Sequence, residues 1–219
     1  MARQESKKAK LSRAAAIVDA LKTYYPNAEC ALRYDGDPWR LLVMGRLSAQ
    51  CTDARVNTVC ETLFKVYPNA EAMATADAEE VGKYIFSCGL YKTKARDLVA
   101  SSRMLIDVFA GVLPDTMEAL LTLPGVGRKI ANLLLGDIYH KPAIVADTHC
   151  IRISRRLGLV DKEKKAPEQV ERALVSLIAP EEQSDFCHRI VLLGRQHCMA
   201  RGNVCESCPL NTLCPKIPV

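Results

Sequence analysis

Pro124-Gly125-Val126-Gly127 constrains this chain more than any other stretch, because a proline and two glycines within four residues enforce a tight turn between two segments that both read as helix. Asp115-Thr116-Met117-Glu118 has the spacing of a capping box and predicts a short helix from there to about Leu121. Pro124 stops it, since the ring fixes φ and removes an N–H. Gly125 and Gly127 admit positive φ and carry no side chain to hold another group away. A second helix is predicted from near Gly127, with Ile130, Leu134 and Ile138 on one face and Ala131 and Leu135 beside it. At such a turn the outward amides and the positive end of the second helix dipole suit a phosphate without reading a base. That makes Gly125, Val126, Gly127 and Arg128 candidates for the DNA backbone. The same turn also serves as an ordinary connection between packed helices.

Lys129 falls in the first turn of the second helix, where the dipole and adjacent Arg128 both disfavour a protonated amine. A neutral amine near a sugar can attack the anomeric carbon and form a Schiff base; a solvated lysine touching phosphate is the plainer alternative. Eighteen residues on, Asp147 precedes Thr148-His149-Cys150-Ile151 at a good N-cap position, which explains it structurally. The cap is compatible with a catalytic carboxylate that stabilises positive charge on a sugar as its base departs.

Cys198, Cys205, Cys208 and Cys214, at intervals of seven, three and six positions, form a full four-thiolate ligand set. Spacing leaves a four-cysteine zinc site and an iron-sulfur cluster both open. Cysteines 30, 51, 60, 88, 150 and 187 follow no repeating interval, which speaks against a secreted disulfide framework and for buried thiols in a reducing compartment. No apolar signal core or membrane-length apolar run is present, so a soluble cytoplasmic protein is expected.

The remainder reads as successive helices: Leu11–Thr23, Pro38–Gln50, Asp53–Val66, Asp77–Ser87, Thr93–Phe109, Thr148–Leu157, Pro167–Ile178 and Gln183–Gly194, giving an all-α fold class. At 219 residues and 49% hydrophobic, the chain can bury a substantial core. A net charge of +5 does not identify a nucleic-acid binder by itself. Residues 1–13 hold Arg3, Lys7, Lys8, Lys10 and Arg13 against Glu5, and are expected to form a mobile basic tail. Arg46 interrupts an apolar run and must snorkel or find an acidic partner. The four histidines lack ligand spacing, and Trp39 reads as core.

Leu123-Pro124-Gly125-Val126-Gly127-Arg128-Lys129, Val145-Ala146-Asp147-Thr148-His149 and the four-cysteine spacing together resemble the endonuclease III family of helix-hairpin-helix DNA glycosylases. The resemblance runs from about Ala15 to Pro215. It implies Lys129 as nucleophile, Asp147 as essential carboxylate, and a 4Fe-4S cluster on Cys198, Cys205, Cys208 and Cys214. It further implies two helical lobes: residues 31–141 as a six-helix lobe with the hairpin, and residues 142–219 as a cluster lobe with residues 1–30 packed on it, Lys129 and Asp147 facing each other across a cleft. Ser48-Ala49-Gln50-Cys51-Thr52-Asp53 resembles the segment whose glutamine fills the space left by an extruded base, and Cys88-Gly89-Leu90-Tyr91 the one that supplies an apolar wedge. Gln50 and Leu90 are therefore DNA-binding candidates, and Asp53 a substrate-pocket candidate that could also cap its helix. The loop between Cys198 and Cys205, basic in the family, holds only Arg201.

The implied activity is a bifunctional DNA glycosylase/AP lyase of base excision repair that removes oxidised pyrimidines from duplex DNA as a cytoplasmic, nucleoid-associated monomer. A monofunctional adenine-type glycosylase is disfavoured by Lys129 and by a chain that stops five residues after Cys214. A non-catalytic DNA-binding module with a structural metal centre would not need Lys129 and Asp147 together.

Overall fold

A computed structural model describes residues 5–219, and among these the chain forms eleven α-helices, two 3₁₀ turns and no strand. In chain order the helices are α1 (Lys7–Tyr24), α2 (Pro38–Leu47), α3 (Asp53–Val66), α4 (Ala70–Ala74), α5 (Ala78–Ile85), α6 (Tyr91–Phe109), α7 (Met117–Leu120), α8 (Arg128–Asp137), α9 (Thr148–Arg156), α10 (Pro167–Val175) and α11 (Gln183–Gln196). They divide into two compact units. Cys30–Tyr139 forms the hairpin unit, and the chain up to Glu29 joins His140–Val219 in the cysteine unit. Among the described residues no helix is long and apolar enough to cross a membrane.

In the hairpin unit, α2 is apolar almost all round, so it can only be buried. Trp39, Leu41, Leu42, Val43, Met44 and Leu47 all lie in the core, and α3, α6 and α8 pack on this helix. Trp39 Nε1 donates to Ser102 Oγ at 3.0 Å, satisfying the one polar atom that α2 brings in with its aromatic ring. Gly45 allows a close crossing with α8: a Cβ there would stand 3.3 Å from Ile130 Cγ2. Arg46 has found its acidic partner, donating to Asp97 Oδ2 from Nε at 2.8 Å and from its terminal nitrogen at 2.6 Å.

The cysteine unit is built on the i, i+3, i+4, i+7 stripe Ala14, Ile17, Val18, Leu21 of α1, which joins Ile153, Leu174, Phe186 and Ile190 in one core. Burial of each large aliphatic side chain contributes roughly 1.5–3 kcal/mol. Helix starts follow local chemistry: Ser6, Asp37, Thr52, Asn69, Asp77, Thr116 and Asp147 each accept a first-turn N–H.

Several boundaries depart from the sequence expectation. The basic N-terminal stretch is helical from Lys7, and Arg13 is held by Glu5 and by the Leu157 carbonyl at 2.6 Å; Arg3 lies outside the described residues. Helix α2 ends at Leu47, three residues before Gln50. Asp115 does not cap α7: Thr116 Oγ1 accepts from Ala119 N at 3.3 Å, which moves the start one residue on. Thr52 rather than Asp53 caps α3. The hairpin unit holds seven α-helices and one 3₁₀ turn, of which five-residue α4 has no counterpart in the sequence expectation because it is too short to show a period.

Candidate active site and DNA interface

The hairpin is fastened from within. Leu120, Leu123 and Val126 are buried, and Val126 N–H donates to the Leu123 carbonyl at 3.0 Å, while Gly125 and Gly127 stay exposed. Gly125 has φ +76°, and a Cβ on it would come within 2.6 Å of Arg46 Nε and 2.8 Å of Asp97 Oδ2. The Arg46–Asp97 pair thus presses α2 and α6 against the turn, and only glycine fits between. Gly127 differs. It opens α8 without a side-chain cap, and a Cβ there would meet nothing within 4 Å. Space remains open above the helix start, where anions bind. Arg128 and Lys129 begin α8, and Lys129 is exposed.

Asp147 is half-buried and caps α9 as expected, its Oδ1 accepting from Cys150 N at 2.7 Å. A hydrogen bond with Cys187, burial and the charges of Cys187 and Asp147 push the Cys150 thiol well above its ordinary value, so the group beneath the carboxylate stays a neutral thiol. Helix α9 is seated on α11 at Gly194, where a Cβ would stand 2.3 Å from His149 Nδ1. Gln50 and Leu90 are both exposed, and both adopt the left-handed backbone, at φ 54° and 49°. That conformation costs a non-glycine residue about 1–2 kcal/mol, and such strain concentrates at functional sites. Asp53 is half-buried at the first position of α3.

Cys198, Cys205, Cys208 and Cys214 line one small cavity with Ile153, Leu157, Leu193 and Leu210. Lys216 N–H donates to Cys214 Sγ at 3.3 Å, and the Arg156 guanidinium to Cys198 Sγ at 3.4 Å. Burial raises the Cys208 and Cys214 thiols. Among the described residues no three histidine, cysteine or acidic side chains are gathered tightly enough for a single metal ion. Four thiols around one cavity, two of them met by N–H donors, are a donor set that would fit a thiolate-held metal centre.

The family model for HhH-GPD superfamily base excision DNA repair proteins matches residues 43–180. The chain belongs to the endonuclease III family of that superfamily. Endonuclease III of Synechocystis sp. is 42% identical over 207 residues, covering 94% of this chain and 93% of the relative. A non-covalent endonuclease III–DNA complex superposes with a TM-score of 0.88 at 39% identity, over 94% of this chain and 95% of that one. A trapped endonuclease III–DNA covalent intermediate, the estranged-adenine complex, does so at the same TM-score and identity over 94% and 96%.

In this endonuclease III-family chain the hairpin unit carries Gln50, Asp53, Leu90 and Gly125–Lys129, and the cysteine unit carries Asp147, Arg201 and the four cysteines. Side chains outside any motif support them. Arg156, on α9, binds the Met199 carbonyl at 2.7 Å and Asn203 Oδ1 at 2.8 Å, and Arg152 binds the Cys198 carbonyl at 2.9 Å. Exposed Arg201 therefore sits on a loop held by arginines one helix away. Their i, i+4 spacing on α9 is the only sequence signal that could have revealed them. Lys94, fully buried and bonded to the carbonyl of Ala49 next to Gln50, had no signal at all.

Proposed function

We propose that this DNA glycosylase/AP lyase of base excision repair removes oxidised pyrimidines from duplex DNA, with Lys129 as nucleophile and Asp147 as the carboxylate that stabilises the reacting sugar. The observation that carries the reading is an exposed lysine in the first turn of the uncapped hairpin helix, in a chain 39% identical to one trapped covalently on DNA.

The open turn at Gly125 and Gly127 and the start of α8 hold a phosphate, and Arg201 adds a contact from the cysteine loop. Turning the nucleotide out costs a few kcal/mol. Gln50 and Leu90 occupy the space it leaves, and Asp53 lies toward the extruded base. Lys129 Nζ then adds to C1′ as the C1′–N bond breaks; the base takes that electron pair and a proton, while the Asp147 carboxylate balances the charge on the sugar. Loss of the amine proton and ring opening leave a Schiff base. Removal of a C2′ proton forms the C1′–C2′ double bond as the C1′–N π pair moves onto the lysine nitrogen; that pair then re-forms the C1′–N double bond while the C1′–C2′ pair makes a C2′–C3′ double bond and expels the 3′ phosphate, which cuts the strand. Cys198, Cys205, Cys208 and Cys214 hold a 4Fe-4S cluster that fixes the cysteine loop and takes no part in these steps. The protein works as a monomer, in the cytoplasm with the nucleoid.

A duplex with one oxidised pyrimidine tests this. Base release with strand cleavage 3′ to the lesion is expected; tight, salt-dependent binding without base release would favour a DNA-binding module instead. A visible absorption band of the purified protein separates the iron-sulfur cluster from colourless zinc.

A further inference from the structure

Lys94 is a fully buried lysine. It lies one turn into α6, and its ammonium donates to three main-chain carbonyls: Leu47 at 2.9 Å, Ala49 at 2.7 Å, and Cys88. A lysine ammonium has three N–H bonds, so all are used. The acceptors are not scattered. Leu47 closes α2, Ala49 precedes Gln50, and Cys88 ends the 3₁₀ turn two residues before Leu90. Burial opposes the charge and lowers the ammonium's hold on its proton, and the Arg46 guanidinium acts in the same direction, while the Cys88 and Cys51 side chains face it from the two segments. The carbonyl dipoles, including the negative end of α2, are what hold it in the protonated form.

One buried charge therefore ties together the two segments that end in exposed, left-handed Gln50 and Leu90. The segments also touch directly, since a Cβ on Gly89 would stand 3.9 Å from the Gln50 carbonyl. A polar residue that served packing alone would not need three acceptors on two chain segments, and methionine would fill the same volume without desolvating a charge. We propose that Lys94 is a positioning residue for base extrusion: it clamps the Gln50 and Leu90 segments at a fixed spacing, so that both side chains enter the duplex as one unit. This rests on the reading of Gln50 and Leu90 as the residues that enter DNA.

The test uses the full-length protein with its cluster and the variant Lys94→Met, with two readouts. One is the preference for a duplex bearing a tetrahydrofuran abasic-site analogue over the undamaged duplex. The other is borohydride trapping on a single-stranded abasic oligonucleotide, which has no stack to open. Lys94→Met is expected to lose at least tenfold of the duplex preference and to keep single-strand trapping within about twofold. A proportional fall in both means a general scaffold role and overturns the proposal, as does no change in either. Gln50→Ala and Leu90→Ala separate the two levels: if they keep the wild-type preference, the reading of those residues fails. If they lose it while Lys94→Met does not, only the clamp fails. In the Gln50→Ala/Leu90→Ala background, adding Lys94→Met is expected to change the preference no further, and an additional tenfold loss would show that Lys94 acts by another route. Should Lys94→Met lack a cooperative melt, Lys94→Gln, which keeps a donor in the same space, is put through the same comparison with the same outcomes.

Discussion

Asp147 caps α9 and, in the proposed mechanism, is also a catalytic carboxylate, and a pair of substitutions separates the two roles. As a cap, its Oδ1 accepts from Cys150 N at 2.7 Å and starts a helix whose Cys150, Ile153 and Ser154 are buried in the core. Asparagine caps about as well as aspartate, whereas alanine costs about 1 kcal/mol. For a chain of this size that is a fall of about 2–4 °C in Tm. As a charge facing a developing cation, the carboxylate is worth about 10²–10³ in rate, which asparagine cannot supply. Asp147→Asn is therefore expected to melt within about 1 °C of the parent and to release an oxidised pyrimidine at least about 10²-fold more slowly. Asp147→Ala should show the same loss of rate and the lower melt. Thermal denaturation beside single-turnover base release reads both. An Asp147→Asn protein with more than a tenth of the parental rate would refute the catalytic role and leave Asp147 as a cap only.

The two hairpin glycines should behave differently. Gly125→Ala forces a Cβ against the Arg46–Asp97 pair at φ +76° and is expected to cost about 1–3 kcal/mol in a denaturant melt as well as duplex affinity. Gly127→Ala meets no protein atom, so stability should hold while affinity for undamaged duplex falls; equal melts for the two would contradict the packing. Glu182 receives Lys22 at 2.5 Å and Arg189 at 2.8 Å, and these cations hold its carboxyl below the ordinary value. Its stabilisation is therefore present above the unfolded value of about 4.3 and is lost as pH falls through the lower folded value. Tm of the parent should drop more steeply than that of Glu182→Gln below about pH 5, and parallel curves would show the pairs to be screened.

What the sequence revealed and what it hid divides by the range of the interaction. Caps at Asp77 and Asp147 and the turn at Pro124–Gly127 depend on neighbours within a few positions, and they fold as the residues dictate. Even there, competition between adjacent candidates decided the outcome: Thr116 displaced Asp115 and Thr52 displaced Asp53, because either oxygen satisfies the same orphan N–H groups. The N-terminal lysines read as a solvated tail because charge dominates them, yet Ser6 caps a helix that the apolar stripe of α1 anchors. Hidden altogether were partners far along the chain. Arg46 finds Asp97 fifty-one residues away, and Lys94 reaches back forty-five and forty-seven residues to its carbonyls. Such acceptors are main-chain atoms that every residue possesses, so no pattern of side chains announces them.

Borohydride trapping on duplex DNA with an oxidised pyrimidine reaches the central claim most directly, comparing the intact protein with Lys129→Gln. Lys129 is exposed, so the substitution should leave the melt unchanged. The account predicts a covalent protein–DNA adduct with the parent and none with Lys129→Gln. An adduct that survives in Lys129→Gln at the parental yield would contradict it and assign the nucleophile to another amine.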